Sequence, residues 1–182
     1  MYGGQLSMRN ARQIGPMATA LLSVAVLAAC AKRETATPPV IPATSKSVLH
    51  AVREPGAKVV LVNMWATWCG PCREEFPDIV KLAKTYRDRG LRVVFVSWDA
   101  DEAVTRRFLA QQGVDFPSYI KAESERDPAF IDAIEPRWTG AFPATMIYDG
   151  TGKARNFWEG IASYAQLEQR MLEVLNQQTH GG

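Results

Sequence analysis

This sequence predicts an α/β domain built on a central mixed sheet flanked by helices, and three observations support that reading. Lys58 to Trp65 is a continuous apolar run of strand length, as expected for a central strand covered on both faces. A helix-period segment follows and leads into a second apolar run, Leu91 to Trp98, which makes a βαβ unit with a parallel crossover. Farther on, Asp149-Gly150-Thr151-Gly152 reads as a hairpin turn between the strands Ala144–Tyr148 and Lys153–Glu159. With 182 residues, 47% of them hydrophobic, the chain can bury one ordinary core without disulfides to hold it together.

The N-terminus reads as a targeting segment. Met8-Arg9-Asn10-Ala11-Arg12 is short and basic, and Met17 to Ala29 is mostly apolar. An apolar run of that length is too short to cross a bilayer comfortably and fits a secretory signal. It ends in Leu27-Ala28-Ala29-Cys30, which resembles the bacterial lipobox. That resemblance implies a signal peptide over 1–29, with Cys30 acylated as the new first residue; a simple transmembrane anchor is the alternative. Met8 is an alternative start, and Ala31 after the cysteine points to the outer membrane of a Gram-negative host. The formal charge is +2, and Arg9 and Arg12 supply the surplus, so the chain from Cys30 onward is balanced. Such a balance does not suit nucleic acid or an acidic polymer as a partner.

The remaining elements follow in order. Residues 30–46 combine Pro, Thr, Ala and charge without apolar periodicity, which predicts a tether. The domain is expected over 47–178 and a disordered tail over 179–182. Ser47 to Arg53 reads as a short helix ended by Glu54-Pro55-Gly56. Phe76, Ile79, Val80, Ala83 and Tyr86 then form a helical stripe that Gly90 ends, with Pro77 inside it as a source of a kink. Asp101–Gln112 is a further helix with Val104, Phe108 and Leu109 as its inner stripe. Phe116–Ile120 is expected as a strand and Asp127–Ile134 as a helix. Ser163 caps a last helix bearing Tyr164, Leu167, Met171, Leu172 and Leu175. Trp98, Trp138 and Trp158 read as core or rim. Gly150-Thr151-Gly152-Lys153 lacks the strand–loop–helix context of a phosphate loop.

The chemistry lies in Trp65–Pro77, WATWCGPCREEFP. Cys69 and Cys72 flank Gly70-Pro71 where a buried strand meets a helix. A zinc site would need two more soft ligands, and the candidates, His50 and His180, lie before the first predicted strand and at the C-terminus, so no metal is expected. A structural bridge closing so short a loop would add little stability. A reactive dithiol fits better. At a helix N-terminus the first cysteine meets unpaired N–H groups and the positive end of the helix dipole, which favour a thiolate. Proline suits the first helical turn, where its missing donor costs nothing. Cys69 is thus expected as an exposed nucleophile and Cys72 as the thiol that resolves the mixed disulfide.

Trp68-Cys69-Gly70-Pro71-Cys72 resembles the thioredoxin active site, and the wider pattern resembles the membrane-tethered TlpA/ResA-like thiol–disulfide oxidoreductases. The likeness covers about residues 47–178 and includes REEFP after Cys72 and Gly140-Ala141-Phe142-Pro143-Ala144-Thr145 before a strand. It implies a thioredoxin fold, with a strand–helix insertion within 113–135. It also implies a cis-proline at Pro143 beside the dithiol, and client contacts at Trp68, Gly70, Pro71, Phe142 and Ala144, with Phe142 pairing its backbone to the client. Thioredoxin carries a buried aspartate six residues before its first cysteine; here Asn63 stands there, and an amide cannot accept a proton. Glu75 matches a glutamate associated with the active site in the ResA-like branch and is the expected catalytic acid–base. The alternative is that Glu75 merely favours an early helical turn.

The resemblance implies a reductase of protein disulfides, monomeric and without a cofactor, lipid-anchored on the periplasmic side of a bacterial envelope. A membrane thiol-transfer protein would supply its electrons. The clients so implied are oxidised cysteines such as those of apocytochrome c or copper-site proteins. A thiol oxidant or isomerase shares the motif, and a non-catalytic binding lipoprotein shares the fold. A peroxidase lacks a separate peroxidatic cysteine.

Overall fold

The strand Val59–Trp65 is buried at all seven positions, and its alternation divides the interior in two. Val59, Leu61 and Trp65 face one cluster, and Val60, Val62 and Met64 face the other. The computed structural model describes residues 38–179 together with Met1 and Gly3. The chain divides into two units, Met1–Thr35 and Ala36–Gly182, and every element below belongs to the second. Apart from Met1 and Gly3 the expected signal segment lies outside the described residues, as do Cys30, Ala31 and His180.

In chain order the elements are β1 (Val40–Ala43), α1 (Ser45–Arg53), β2 (Val59–Trp65), α2 (Gly70–Tyr86), β3 (Leu91–Ser97), α3 (Glu102–Gln111), β4 (Ser118–Lys121), α4 (Asp127–Ile134), β5 (Ala144–Asp149), β6 (Ala154–Glu159) and α5 (Tyr164–Thr179). The strands form one mixed sheet in the order β1-β4-β3-β2-β5-β6. β1–β4, β4–β3 and β3–β2 are parallel, whereas β2–β5 and β5–β6 are antiparallel. Apolar side chains of α2, α3 and α5 cover one face, among them Phe76, Leu109 and Leu167; α1 and α4 cover the other with Val48, Val52, Phe130 and Ile134.

Local chemistry explains the boundaries. Thr44 caps α1 by accepting from the Ser47 N–H. Gly90, at φ 101°, ends the helical segment in the left-handed region where glycine carries no Cβ penalty. α2 continues through Pro77 without interruption. The β5–β6 turn is tied by Asp149, whose carboxylate accepts from the N–H groups of Thr151 and Lys153 and from Arg155 Nε. At the start of α5 the Gln166 side chain accepts from Ser163 N–H at 2.9 Å and from the Ser163 hydroxyl at 3.1 Å, the glutamine half of a Ser-x-x-Gln box.

Two sequence expectations change. Val40–Ala43, assigned to the tether, pairs with β4 as an edge strand. Pro42 hides it from a pattern search but is tolerated because only one side of the strand needs donors. In α3, Val104 is 38% exposed rather than inward, and Thr105 is buried in its place. The Thr105 hydroxyl donates to Asp99 at 3.1 Å, which turns the Thr105–Leu109 face inward and leaves Val104 one position off it.

Candidate active site

Cys69 is the N-cap of α2. Its backbone is extended (φ −83°, ψ 108°), and its sulfur accepts from the Cys72 N–H at 3.2 Å. Gly70 and Pro71 fill the first helical positions, so the predicted strand–turn–helix placement of the pair is what the chain adopts. Cys69 and Cys72 are joined in a disulfide with Cα atoms 5.3 Å apart. Cys69 is not the exposed residue expected from sequence: it is 6% accessible and Cys72 2%. In this oxidised form the Cys69 sulfur is tied to its partner over the helix end. Trp68, 65% exposed, takes the surface position instead.

The loop before Cys69 is held by a residue that the sequence did not single out. Asp99, 8% exposed just beyond β3, accepts from Thr67 N–H at 3.1 Å and Thr67 Oγ1 at 2.8 Å. It also accepts from Ser97 Oγ at 2.6 Å and Thr105 Oγ1 at 3.1 Å. A carboxylate so fully hydrogen-bonded can stay buried, and here it ties the end of β3 and α3 to the active-site loop. An aspartate after an apolar run looks in sequence like an ordinary strand terminator, so nothing flagged it.

Glu75 is 2% exposed, one turn beyond Cys72 on α2. Its Oε1 accepts from Ala162 N–H at 2.9 Å and its Oε2 from Asn63 Nδ2 at 3.4 Å. Burial pushes its carboxyl up to about 7, although the hydrogen bonds from Ala162 and Asn63 and the charge of Arg170 pull the other way; Asp78 adds to the rise. Asn63 also donates to Thr145 Oγ1 at 2.9 Å, which links β2, α2 and β5. The polar residue in an otherwise apolar strand is therefore the partner of the glutamate, not a stranded acid substitute.

The Phe142–Pro143 peptide is cis, as the resemblance implies. Pro143 is buried, and its carbonyl accepts from Gly160 N–H at 2.8 Å. Among the described residues neither backbone group of Phe142 has a hydrogen-bond partner. The Phe142 ring reaches Trp68 at 5.7 Å, Trp98 at 5.3 Å and Trp138 at 5.7 Å, so an aromatic cluster joins the cysteine loop to the proline loop. Trp138 is core and Trp98 half-buried. Ala144, an expected client contact, is fully buried in β5 and is paired with Met64 on one side and Glu159 on the other. Its side chain and both edges are already engaged. Gly70 and Pro71 stay on the surface.

His50 sits exposed in the last turn of α1, 3.8 Å from Glu54 and in a different layer from the cysteines. Among the described residues no three His, Cys, Asp or Glu side chains are grouped to hold a metal. Among the same residues no helix is long and apolar enough to cross a membrane.

Residues 36–153 match the Redoxin family model. Thiol-disulfide oxidoreductase ResA of Oceanobacillus iheyensis is 30% identical over 122 residues, covering 66% of this chain and 59% of that protein. The thioredoxin-like protein YneN of Bacillus subtilis is 33% identical over 124 residues, 66% of this chain and 68% of that one. The chain thus spans about three-fifths to two-thirds of the length of these relatives. A thioredoxin-family thiol:disulfide interchange protein from Chlorobium tepidum superposes with a TM-score of 0.58, covering 76% of this chain and 97% of the other, and at 24% identity that likeness speaks for the fold alone. The chain belongs to the Redoxin family, as a TlpA/ResA-like member of the thioredoxin superfamily.

Proposed function

We propose that this protein is a thiol–disulfide oxidoreductase that reduces protein disulfides, anchored by lipid on the periplasmic side of a bacterial envelope. The observation that carries the reading is Cys69 at the N-cap of α2, with the cis Phe142–Pro143 loop reaching it through Trp68. In the reduced protein the Cys69 thiolate attacks one sulfur of a client disulfide. A Cys69–client bond forms and the other client sulfur leaves as a thiolate. Cys72, deprotonated toward Glu75, then attacks Cys69; the Cys69–Cys72 disulfide forms and the second client thiol leaves. The client gains two electrons and two protons, and the protein loses the same. A dithiol donor, in this reading a membrane thiol-transfer protein, restores the reduced pair. The free backbone of Phe142 supports strand-like pairing with the client segment.

The reducing direction rests on the Gly-Pro dipeptide, which resembles that of reducing thioredoxins. Equilibration with glutathione tests it. The expected midpoint lies below roughly −250 mV, whereas a value near −180 mV or above makes the protein an oxidant or isomerase. A reduced protein that exchanges with no disulfide leaves the reading of a binding lipoprotein.

The anchor rests on the basic segment, apolar run and LAAC sequence that end at Cys30. Cys30→Ala is expected to abolish labelling by radioactive palmitate, and to release the domain or leave an uncleaved precursor. Undiminished labelling would remove the anchor from this reading.

A further inference from the structure

A groove of about 340 Å³ opens beside the dithiol, between the active-site loop and α3, and among its lining residues are Thr67, Arg73, Val104, Arg107 and Gln111. Thr67 lies two residues before Cys69, and Arg73 directly follows Cys72. The groove and the redox centre therefore share a wall. Its size suits one or two side chains rather than a folded element.

The groove's charge is one-sided. Arg73 and Arg107 are both exposed, and no carboxylate lines the groove. Among the described residues neither guanidinium has an ion-pair partner. Arginines elsewhere on the same helices' surroundings are paired: Arg106 with Glu102, and Arg87 with Asp115. On α3 the Glu102–Arg106 pair occupies the local acid and leaves Arg107, one position on, directed to the groove. Val104, 38% exposed, adds an apolar wall on which the methylenes of an acidic side chain can rest.

Building on the oxidoreductase reading, we propose that this groove receives an acidic side chain of the client polypeptide. An Asp or Glu a few residues from the client cysteine is held by Arg73 and Arg107 while Cys69 engages the sulfur. Two guanidiniums offer planar, forked donors to a carboxylate. The rest of the domain is close to charge balance, so the preference is local and does not extend to acidic proteins in general. The exchange step then discriminates among disulfides by the charge beside them.

The test measures binding without chemistry. Two fluorescent peptides carry serine in place of the reactive cysteine and differ only in having Glu or Gln at the third and fourth positions after it. Anisotropy titration is done on the oxidised full-length protein. The acidic peptide is expected to bind roughly fivefold tighter at about 20 mM ionic strength and less than about twofold tighter at about 0.5 M. In the Arg73→Gln/Arg107→Gln protein the ratio should fall to about one at both salt concentrations, with circular dichroism checking the fold. Arg107→Gln alone, remote in sequence from the cysteines, should remove part of the advantage if the double variant is misfolded. Equal affinities in the unaltered protein, or an advantage that survives both arginine changes, overturns the assignment. Exchange with a neutral cysteine-containing peptide reports separately on the oxidoreductase reading, so the two ideas can fail independently.

Discussion

Cys72→Ser should accumulate clients as mixed disulfides on Cys69, at least about tenfold more than Cys69→Ser accumulates on Cys72, and either change should lower turnover by about a hundredfold or more. The asymmetry follows from helix geometry. Cys69 caps α2, where its sulfur already accepts the Cys72 N–H, and the same donor and the helix dipole favour the thiolate that attacks. Cys72 lies one turn in, 2% exposed, and its Cα is 5.3 Å from that of Cys69. It is placed for an intramolecular attack on the mixed disulfide rather than for meeting a client first. Serine at position 72 keeps the helix and removes only that second attack. Non-reducing gels of purified variants incubated with disulfide clients read the result. Equal trapping by both variants would overturn the assigned order of attack.

The junction behind that prediction was legible in the sequence because the CGPC spacing, the apolar strand before it and the helical stripe after it all describe one strand–turn–helix. The central strands and the helix of the βαβ unit were legible for the same reason: apolar runs of seven or more residues with a helical stripe between them leave few alternatives. What was not legible was set by tertiary pairing. Val40–Ala43 has no strand pattern of its own and is a strand only because β4 lies beside it. Thr105 turns inward because Asp99 accepts its hydroxyl. Asn63 and Thr145 are 82 positions apart, and their hydrogen bond connects strands that nothing in local sequence brings together. Exposure was misjudged at Cys69 because a motif names the residue but not its redox partner's position over it. The charge of the neighbouring groove was also invisible, since Arg73 and Arg107 meet only when α3 packs beside the start of α2.

Glu75→Gln should change both the stability of the domain and the pH dependence of exchange, and the sign of the first is fixed by linkage. The carboxyl sits near 4.5 when exposed and is pushed up to about 7 in the fold, chiefly by burial. The folded state therefore holds the proton more tightly than the unfolded chain. Glu75's favourable contribution is complete below about pH 4.5, declines as pH rises, and is gone above about pH 7. The span corresponds to a loss on the order of 3 kcal/mol. Glutamine cannot ionise, so the variant escapes this loss. Its single oxygen cannot serve both Ala162 N–H and Asn63 Nδ2, which offsets part of the gain. The hydrogen-bond penalty applies at every pH, so the variant should be less stable than the unaltered protein by about 1–2 kcal/mol in acid and more stable by about 1–2 kcal/mol at alkaline pH. Urea unfolding of both oxidised proteins across the acid-to-alkaline range measures this, and a difference that does not vary with pH would show that Glu75 does not titrate there. Exchange should move in the opposite direction. A carboxyl near 7 can accept the Cys72 proton and return one at neutral pH, so its loss should slow exchange roughly tenfold to a hundredfold and remove the inflection near neutrality. Superimposable pH–rate profiles would reduce Glu75 to a structural link between α2 and the Ala162 loop. A domain stabilised and slowed by the same substitution is the signature of a buried group kept ionisable for exchange at the expense of the fold.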